Sequence, residues 1–143
     1  MLQVTKIFRF EMAHAIVGYD GPCKNIHGHS YELHVTTATP DDRDCYLPAP
    51  GFVIDFKDLK KIVQHTVIRK LDHQLVLSNE FLKKDASVKN LSNLFLWEVE
   101  PSAENLLIYL QKNIQENLPE GVQLKKLKLY ETNDSYAEWV NDK

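Results

Sequence analysis

Cys-Lys-Asn-Ile-His-Gly-His, at residues 23–29, brings a cysteine and two histidines close together in the chain. His27 and His29 are two residues apart, so in an extended segment both side chains lie on the same face. Two neutral imidazoles on one face are suitable zinc ligands, because zinc in proteins binds nitrogen and sulfur atoms. Cys23 is then either a third ligand or a free thiol that a nearby cation makes reactive. The alternative is a surface loop with two unrelated histidines.

A third histidine ends a segment of alternating residues that precedes this stretch. Residues 3–14 predict a β-strand, and their even-numbered side chains form an apolar face that ends in His14. A second strand is predicted from about residue 27 to residue 39, with His27 and His29 on its apolar face. If the two strands pair, the three imidazoles converge, and three histidines with an open fourth position are typical of a catalytic zinc site. Alternatively, His14 is a hydrogen-bonded residue of the core.

A helix is predicted between a short strand at residues 52–56 and the dipeptide Asp72-His73. Apolar residues recur at helical spacing up to Leu71, and Asp55 is suited to cap the start of the helix. Asp72 and His73 are either two unrelated surface residues or an acid/base pair.

A second helix and a last strand are predicted in the final third of the chain. Ser102 is a suitable N-cap, and the apolar stripe that follows extends to about residue 118. The apolar parity of residues 122–131 switches near Lys125-Lys126, which predicts a β-bulge. Glu131 follows on the apolar face of this strand, where a carboxylate is either a ligand anchor or a group at the rim that meets water.

The composition indicates one globular domain over residues 1–143. The net charge is −3, and no run of 18 apolar residues occurs, so neither nucleic acid nor a membrane is an expected partner. The N-terminus lacks a signal-peptide pattern, which predicts a cytoplasmic protein with reduced cysteines. Residues 40–51, including Cys45, are expected to form a loop or a hairpin turn. Within residues 74–100, residues 93–99 are predicted as a short strand and the part before them as a loop with a helical turn. This order predicts an α+β fold with an antiparallel sheet and helices on one face.

Six motifs occur in one order along the chain and together resemble the 6-pyruvoyltetrahydropterin synthase / 6-carboxytetrahydropterin synthase family. They are Phe10-x-x-Ala13-His14, Cys23-x-x-x-His27-Gly28-His29, Val53-Ile54-Asp55-Phe56, Leu71-Asp72-His73, Pro101-Ser102-Ala103-Glu104-Asn105 and Tyr130-Glu131-Thr132. Each motif is weak alone, whereas the ordered set is specific and covers nearly the whole chain.

The resemblance implies a tunnelling fold (T-fold), with a four-stranded antiparallel sheet and two helices on one face. It implies homohexamers built as dimers of trimers, with active sites between subunits. It also implies Zn²⁺ as cofactor and 7,8-dihydroneopterin triphosphate as substrate.

The same resemblance implies a role for each motif residue. His14, His27 and His29 correspond to the zinc ligands, and Cys23 corresponds to the catalytic base. Asp72 and His73 correspond to a proton-relay pair. Glu131 corresponds to the group that anchors the pterin, and Ser102 stands where the family often has threonine near the pterin.

The three-residue gap between Cys23 and His27 resembles the bacterial branch that makes 6-carboxy-5,6,7,8-tetrahydropterin for queuosine and other 7-deazapurines. A lyase that releases acetaldehyde and triphosphate is therefore the expected activity. The alternatives are 6-pyruvoyltetrahydropterin synthase and a non-catalytic oligomeric module that binds zinc or pterin.

Overall fold

The computed structural model describes residues 1–41 and 45–143. The predicted loop at 40–51 includes residues 42–44, which lie outside the described residues. In its described part, the Gly51 N–H donates to the Pro48 carbonyl at 2.7 Å and closes a turn. Cys45 is exposed.

A six-stranded mixed sheet forms the centre of the structure, in the order β4-β3-β1-β2-β5-β6. The neighbouring pairs β1–β2, β2–β5 and β5–β6 are antiparallel, whereas β1–β3 and β3–β4 are parallel. The strands are β1 (Gln3–His14), β2 (His27–Ala38), β3 (Gln74–Ser78), β4 (Leu94–Trp97), β5 (Gln123–Thr132) and β6 (Ser135–Val140). The antiparallel four-stranded part matches the predicted T-fold, but the predicted total of four strands is wrong, because two short parallel strands extend the sheet beyond β1.

Two helical segments cover one face of this sheet. The first comprises α1 (Phe56–Val63), a π-helical stretch (Gln64–Ile68) and α2 (Arg69–Leu71), and the second is α4 (Ala103–Gln115). Short helical pieces elsewhere are α3 (Asn79–Lys84) and the 3₁₀ turns Pro22–Lys24 and Ala86–Val88. No helix among the described residues is long and apolar enough to cross a membrane.

The start of α1 confirms one prediction and corrects another. The Asp55 carboxylate accepts a hydrogen bond from the Lys57 N–H at 2.8 Å, as an N-cap does. The strand predicted at residues 52–56 is wrong, since residues 52–54 form bends. Val53 and Ile54 are buried in the core although their backbone joins no sheet, so the apolar run reflects packing and not strand pairing.

The core lies between the helices and the inner face of β1, β2 and β5. Large side chains from all of these elements are fully buried there, including Phe10, Leu33, Leu59, Leu110 and Leu127. The opposite face of the sheet carries polar and charged side chains, such as the Arg9–Glu32 ion pair at 3.1 Å. Of the two faces, only the one under the helices therefore provides a buried environment next to the histidines.

Candidate metal centre and catalytic site

The pairing of β1 with β2 brings the three predicted histidines together. His14 and His27 are direct partners at the end of the ladder, and His29 pairs with Met12 two residues further along. The three imidazole ligand atoms all lie within 4.8 Å of one another. This short antiparallel ladder therefore converts two distant sequence motifs into one cluster.

The hydrogen bonds of His14 and His27 leave the nitrogens that face each other without protons. Nδ1 of His14 lies 2.6 Å from the Pro101 carbonyl, and Nδ1 of His27 lies 2.7 Å from the Asn25 carbonyl. A carbonyl only accepts, so each Nδ1 carries the proton and each neutral ring has a bare Nε2. These two Nε2 atoms are 3.1 Å apart. Two lone pairs at this distance repel each other unless a cation lies between them.

His29 supplies a third nitrogen that lacks a partner. Its Nε2 is buried and has no hydrogen bond to any described residue. Burial lowers the pKa of His29, an effect opposed by the Glu131 carboxylate and reinforced by His27. Burial also lowers the pKa of His14. Both rings are therefore held neutral, as metal ligands must be, and the three residues fit a divalent metal ion such as zinc.

A β-bulge directs Glu131 toward the same cluster. The register between β5 and β6 passes from Tyr130–Tyr136 to Thr132–Ser135, so Glu131 has no partner in the ladder. Its Oε1 lies 3.4 Å from His14 Nε2 and 3.7 Å from His29 Nε2. An unpaired residue of a bulge can point its side chain away from the regular alternation, and bulges are frequent beside active sites.

Tyr31 is a residue of this site that the sequence reasoning missed. Its side chain is 1% exposed, and its hydroxyl has no hydrogen-bond partner among the described residues. Burial raises its pKa, and the nearby Glu131 carboxylate and Cys23 add to the effect. The hydroxyl thus keeps its proton beside both groups. Its place after His29 on the histidine face of β2 was the available signal.

Cys23 is carried by the loop between β1 and β2. This loop is fastened at two points: the Ile16 N–H donates to the Cys23 carbonyl at 2.8 Å, and the Val17 N–H donates to Glu100 Oε1 at 2.7 Å. Cys23 is free and half-buried, and it does not belong to the group of metal-ligating atoms. The geometry favours a thiol that lies near the site over a metal ligand. Glu100 was also missed, because nothing in its sequence context marks it.

Ser102 caps α4 beside the site. Its Oγ accepts a hydrogen bond from the Asn105 N–H at 3.2 Å, which confirms the predicted N-cap. The adjacent Pro101 carbonyl holds His14. The start of α4 therefore carries the Ser102 cap and, one residue earlier, the carbonyl that contacts His14.

Asp72 and His73 lie beside the middle strand β1, away from the histidine nitrogens. Asp72 Oδ1 accepts from the Glu11 N–H at 2.9 Å, and the His73 N–H donates to the Glu11 carbonyl at 2.6 Å. The two side chains are 3.7 Å apart, and the His73 side chain is 79% exposed. His73 has φ of 61°, the left-handed region that is uncommon outside glycine. Among the described residues, no hydrogen bond or ion pair connects this pair with the histidine cluster or Cys23.

Two cavities flank these groups. One of about 160 Å³ is lined by Glu131 together with Glu104, Leu129 and Ser135. The other, of about 310 Å³, is lined by His73 and His29 together with Glu11, Ser30 and Asn93. Glu11 and Ser30 are hydrogen-bonded to each other on the sheet face opposite the helices. Glu131 and His73 thus line different cavities, whereas His29 of the histidine cluster lines the same cavity as His73.

The fold and the cluster define an α+β protein of the T-fold class with a three-histidine site that can hold a metal ion. The sequence model of the family described as 6-pyruvoyl tetrahydropterin synthase matches residues 3–142. The chain belongs to this family, which confirms the resemblance read from its motifs.

Individual relatives agree with this assignment. The chain is 31% identical to the 6-carboxy-5,6,7,8-tetrahydropterin synthase of Haemophilus influenzae, over 97% of this chain and 99% of that protein. It is 31% identical to the human 6-pyruvoyl tetrahydrobiopterin synthase, over 80% of this chain and 68% of that protein. The solved 6-pyruvoyl tetrahydropterin synthase of Caenorhabditis elegans superposes with a TM-score of 0.68 at 22% identity, covering 99% of this chain and 96% of that one.

Proposed function

We propose that the protein is a zinc-dependent lyase that converts 7,8-dihydroneopterin triphosphate and water to 6-carboxy-5,6,7,8-tetrahydropterin, acetaldehyde and triphosphate. The observation that carries the proposal is the cluster of three histidines whose Nε2 atoms are placed to bind one metal ion. The match over nearly the full length of the Haemophilus influenzae carboxy-forming synthase supports the choice of reaction. Synthesis of queuosine and other 7-deazapurines in the cytoplasm is the corresponding physiological setting.

His14, His27 and His29 would hold the zinc ion, and the metal would supply Lewis acidity to the side-chain hydroxyls of the substrate. The chain's own contribution begins with preorganisation. The Pro101 and Asn25 carbonyls fix the tautomers of two ligands, a second shell that orients the rings before any substrate arrives. The α4 N-terminal segment and the 15–26 loop thereby become part of the site.

Cys23 is the proposed base that takes a proton from the substrate side chain. Its half-buried position on a doubly fastened loop supports this role, because a proton acceptor has to stay at hydrogen-bonding distance from the reacting atoms. Glu131 is the proposed anchor of the pterin, since a carboxylate can accept two hydrogen bonds from adjacent N–H groups of a planar ring. The cavity of about 160 Å³ beside Glu131 supports this placement. Ser102 stands near the same pocket as a secondary contact.

Asp72 and His73 are the proposed proton-relay pair. Because no hydrogen bond or ion pair among the described residues connects this pair with the histidine cluster or Cys23, and His73 lines a different cavity from Glu131, we infer that another copy of the chain supplies the pair to each active site, within a homohexamer of two trimers. The exposed edges of the sheet support such an assembly, since β4 and β6 each have one side without a paired strand among the described residues.

The test is a product assay with the zinc-loaded protein and 7,8-dihydroneopterin triphosphate. We expect acetaldehyde and 6-carboxytetrahydropterin in equal amounts, with turnover lost in Cys23→Ala and kept in the matched control Cys45→Ala, whose thiol is exposed. Zinc content should remain unchanged in both variants. A pyruvoyl product without acetaldehyde would transfer the assignment to the pyruvoyl-forming reaction, to which the human relative points. Pterin binding without any product would instead identify a non-catalytic module.

A further inference from the structure

We propose that Glu131 is the fourth protein ligand of the metal ion in the substrate-free protein and that it leaves the metal when the pterin binds. The ligation rests on the three-histidine site alone. The exchange rests in addition on the proposed function, because it assigns the pterin to the cavity beside Glu131. The zinc ligands assigned above are histidines only, so this adds a metal-binding role to a residue otherwise assigned to the substrate.

Three of the six distances between the four proposed ligand atoms approach those of a tetrahedral site. Zinc–nitrogen and zinc–oxygen bonds of about 2.0–2.1 Å place neighbouring ligand atoms of a tetrahedron about 3.3–3.4 Å apart. His14 Nε2 lies 3.1 Å from His27 Nε2 and 3.4 Å from Glu131 Oε1. Glu131 Oε1 lies 3.7 Å from His29 Nε2. Two of these three distances end at the Glu131 carboxylate oxygen, which is therefore as close to the cluster as a fourth ligand would be, while the three histidine nitrogens lie within 4.8 Å of one another.

The charges around Glu131 also favour a cation at this position. Among the described residues, its ion-pair contacts are the imidazoles of His14 and His29 only, and no lysine or arginine pairs with it. The carboxylate is itself 30% exposed and faces these rings from the bulge in β5. A partly buried carboxylate without a cationic partner is unfavourable, and a metal ion held by three histidines supplies that partner. The buried Tyr31 hydroxyl beside it is positioned as the second-shell donor that ligating carboxylates usually have.

Glu131 lies between the two places that it would serve. Its Oε1 faces the histidines, and the residue also lines the cavity of about 160 Å³. A pterin in that cavity would compete for the carboxylate through its N–H edge and would leave the fourth metal position to the substrate hydroxyls. The same residue then keeps the metal site closed at rest and opens it only when the pterin occupies the cavity.

The direct test is a pair of zinc-loaded crystal structures, without ligand and with 7,8-dihydroneopterin. We expect a Glu131 oxygen within about 2.2 Å of zinc in the first structure and no bond between them in the second. A water molecule in place of Glu131 in the ligand-free crystal would overturn the ligation. Retention of the Glu131–zinc bond with the pterin bound would overturn the exchange.

A solution measurement compares zinc affinity by competition with a chelator. Glu131→Gln should weaken zinc binding at least about tenfold, because loss of even a second-shell partner costs about 10–100-fold. The matched control is Glu138→Gln, which removes one carboxylate from the neighbouring strand, where Glu138 pairs with Lys126 at 3.4 Å. Equal affinities of Glu131→Gln and the control would overturn the proposal. Acetaldehyde release is measured on the wild-type protein. Weaker zinc binding by Glu131→Gln, with no acetaldehyde from the wild type, would leave the ligation standing and reject the proposed function. Acetaldehyde release by the wild type, with equal zinc affinities of Glu131→Gln and Glu138→Gln, would reject the ligation and leave the proposed function standing.

Discussion

Removal of one histidine from the cluster should abolish most of the thermal stabilisation that zinc provides. A ligand that binds only the folded protein stabilises it by about 2.7 kcal/mol at a free concentration of 100 Kd. For a chain of about 150 residues this corresponds to a Tm increase of roughly 5–10 °C. His14→Ala removes one of three ligand nitrogens. If its Kd rises about 100-fold, the same zinc concentration stabilises the variant by only about 0.4 kcal/mol, or roughly 1 °C.

The assay is thermal unfolding followed by circular dichroism, with zinc and with a chelator, for each variant separately. His14 is 2% exposed and also donates to the Pro101 carbonyl, so His14→Ala lowers the stability of the metal-free protein as well. Comparing each variant with its own metal-free form removes that contribution. His34→Ala is the matched control, because His34 lies on the opposite face and pairs with Glu32 at 2.7 Å. An equal zinc-induced Tm increase in His14→Ala and the wild type would refute a site built on these three nitrogens.

Three further outcomes are expected. The metal-free protein should lose stability as the pH falls below about 6.5. The pKa values of His14 and His29 are lowered in the folded protein, so on acidification the unfolded chain protonates these two imidazoles before the folded protein does. Urea titrations at several pH values measure the resulting loss in the free energy of unfolding. Ser102→Ala should lower the free energy of unfolding by about 1 kcal/mol through loss of the α4 N-cap, measured in urea against Ser87→Ala on the exposed 3₁₀ turn. Glu100→Ala should change the alkylation rate of Cys23 by freeing the Val17 amide, while Glu100→Gln, which keeps an acceptor oxygen, should not; mass spectrometry of the alkylated peptides reports the rate.

The elements that the sequence predicted are those with strong local patterns. The alternation of β1 and β2 predicted both strands and the shared face of three histidines. The parity switch in β5 predicted the bulge, which the register confirms by its step from Thr36–Lys126 to Thr37–Leu124. β3 was not predicted, because a short buried apolar run has no period that separates a strand from a helix. β6 follows β5 after a two-residue turn, and its half-exposed residues gave too weak an alternation.

The position of Glu131 depends on β6, the unpredicted last strand. Its parity in β5 placed it on the apolar face, as a candidate anchor. Its approach to His14 and His29, however, arises from the second bulge, which exists only because β5 pairs with β6 and the ladder skips one residue. A contact between side chains from the two ends of a chain requires the register of every strand between them, and single-strand periodicity does not contain that register.

The separation of Asp72 and His73 from the histidines is a consequence of topology in the same way. Both residues follow the helical segment in a connection without alternation, so no parity argument assigns them to a face. β3 begins directly after His73 and pairs parallel with β1, which places Asp72 and His73 beside the backbone of β1. Both residues hydrogen-bond to the backbone of Glu11, whose side chain points away from the helices. The order of motifs along the chain therefore predicts the members of the catalytic set, but it contains no information on which copy of the chain would supply each member. His73 lines a different cavity from Glu131, so the proposed assembly between copies predicts that activity is lost when the oligomer dissociates, which activity assays combined with size-exclusion chromatography would measure.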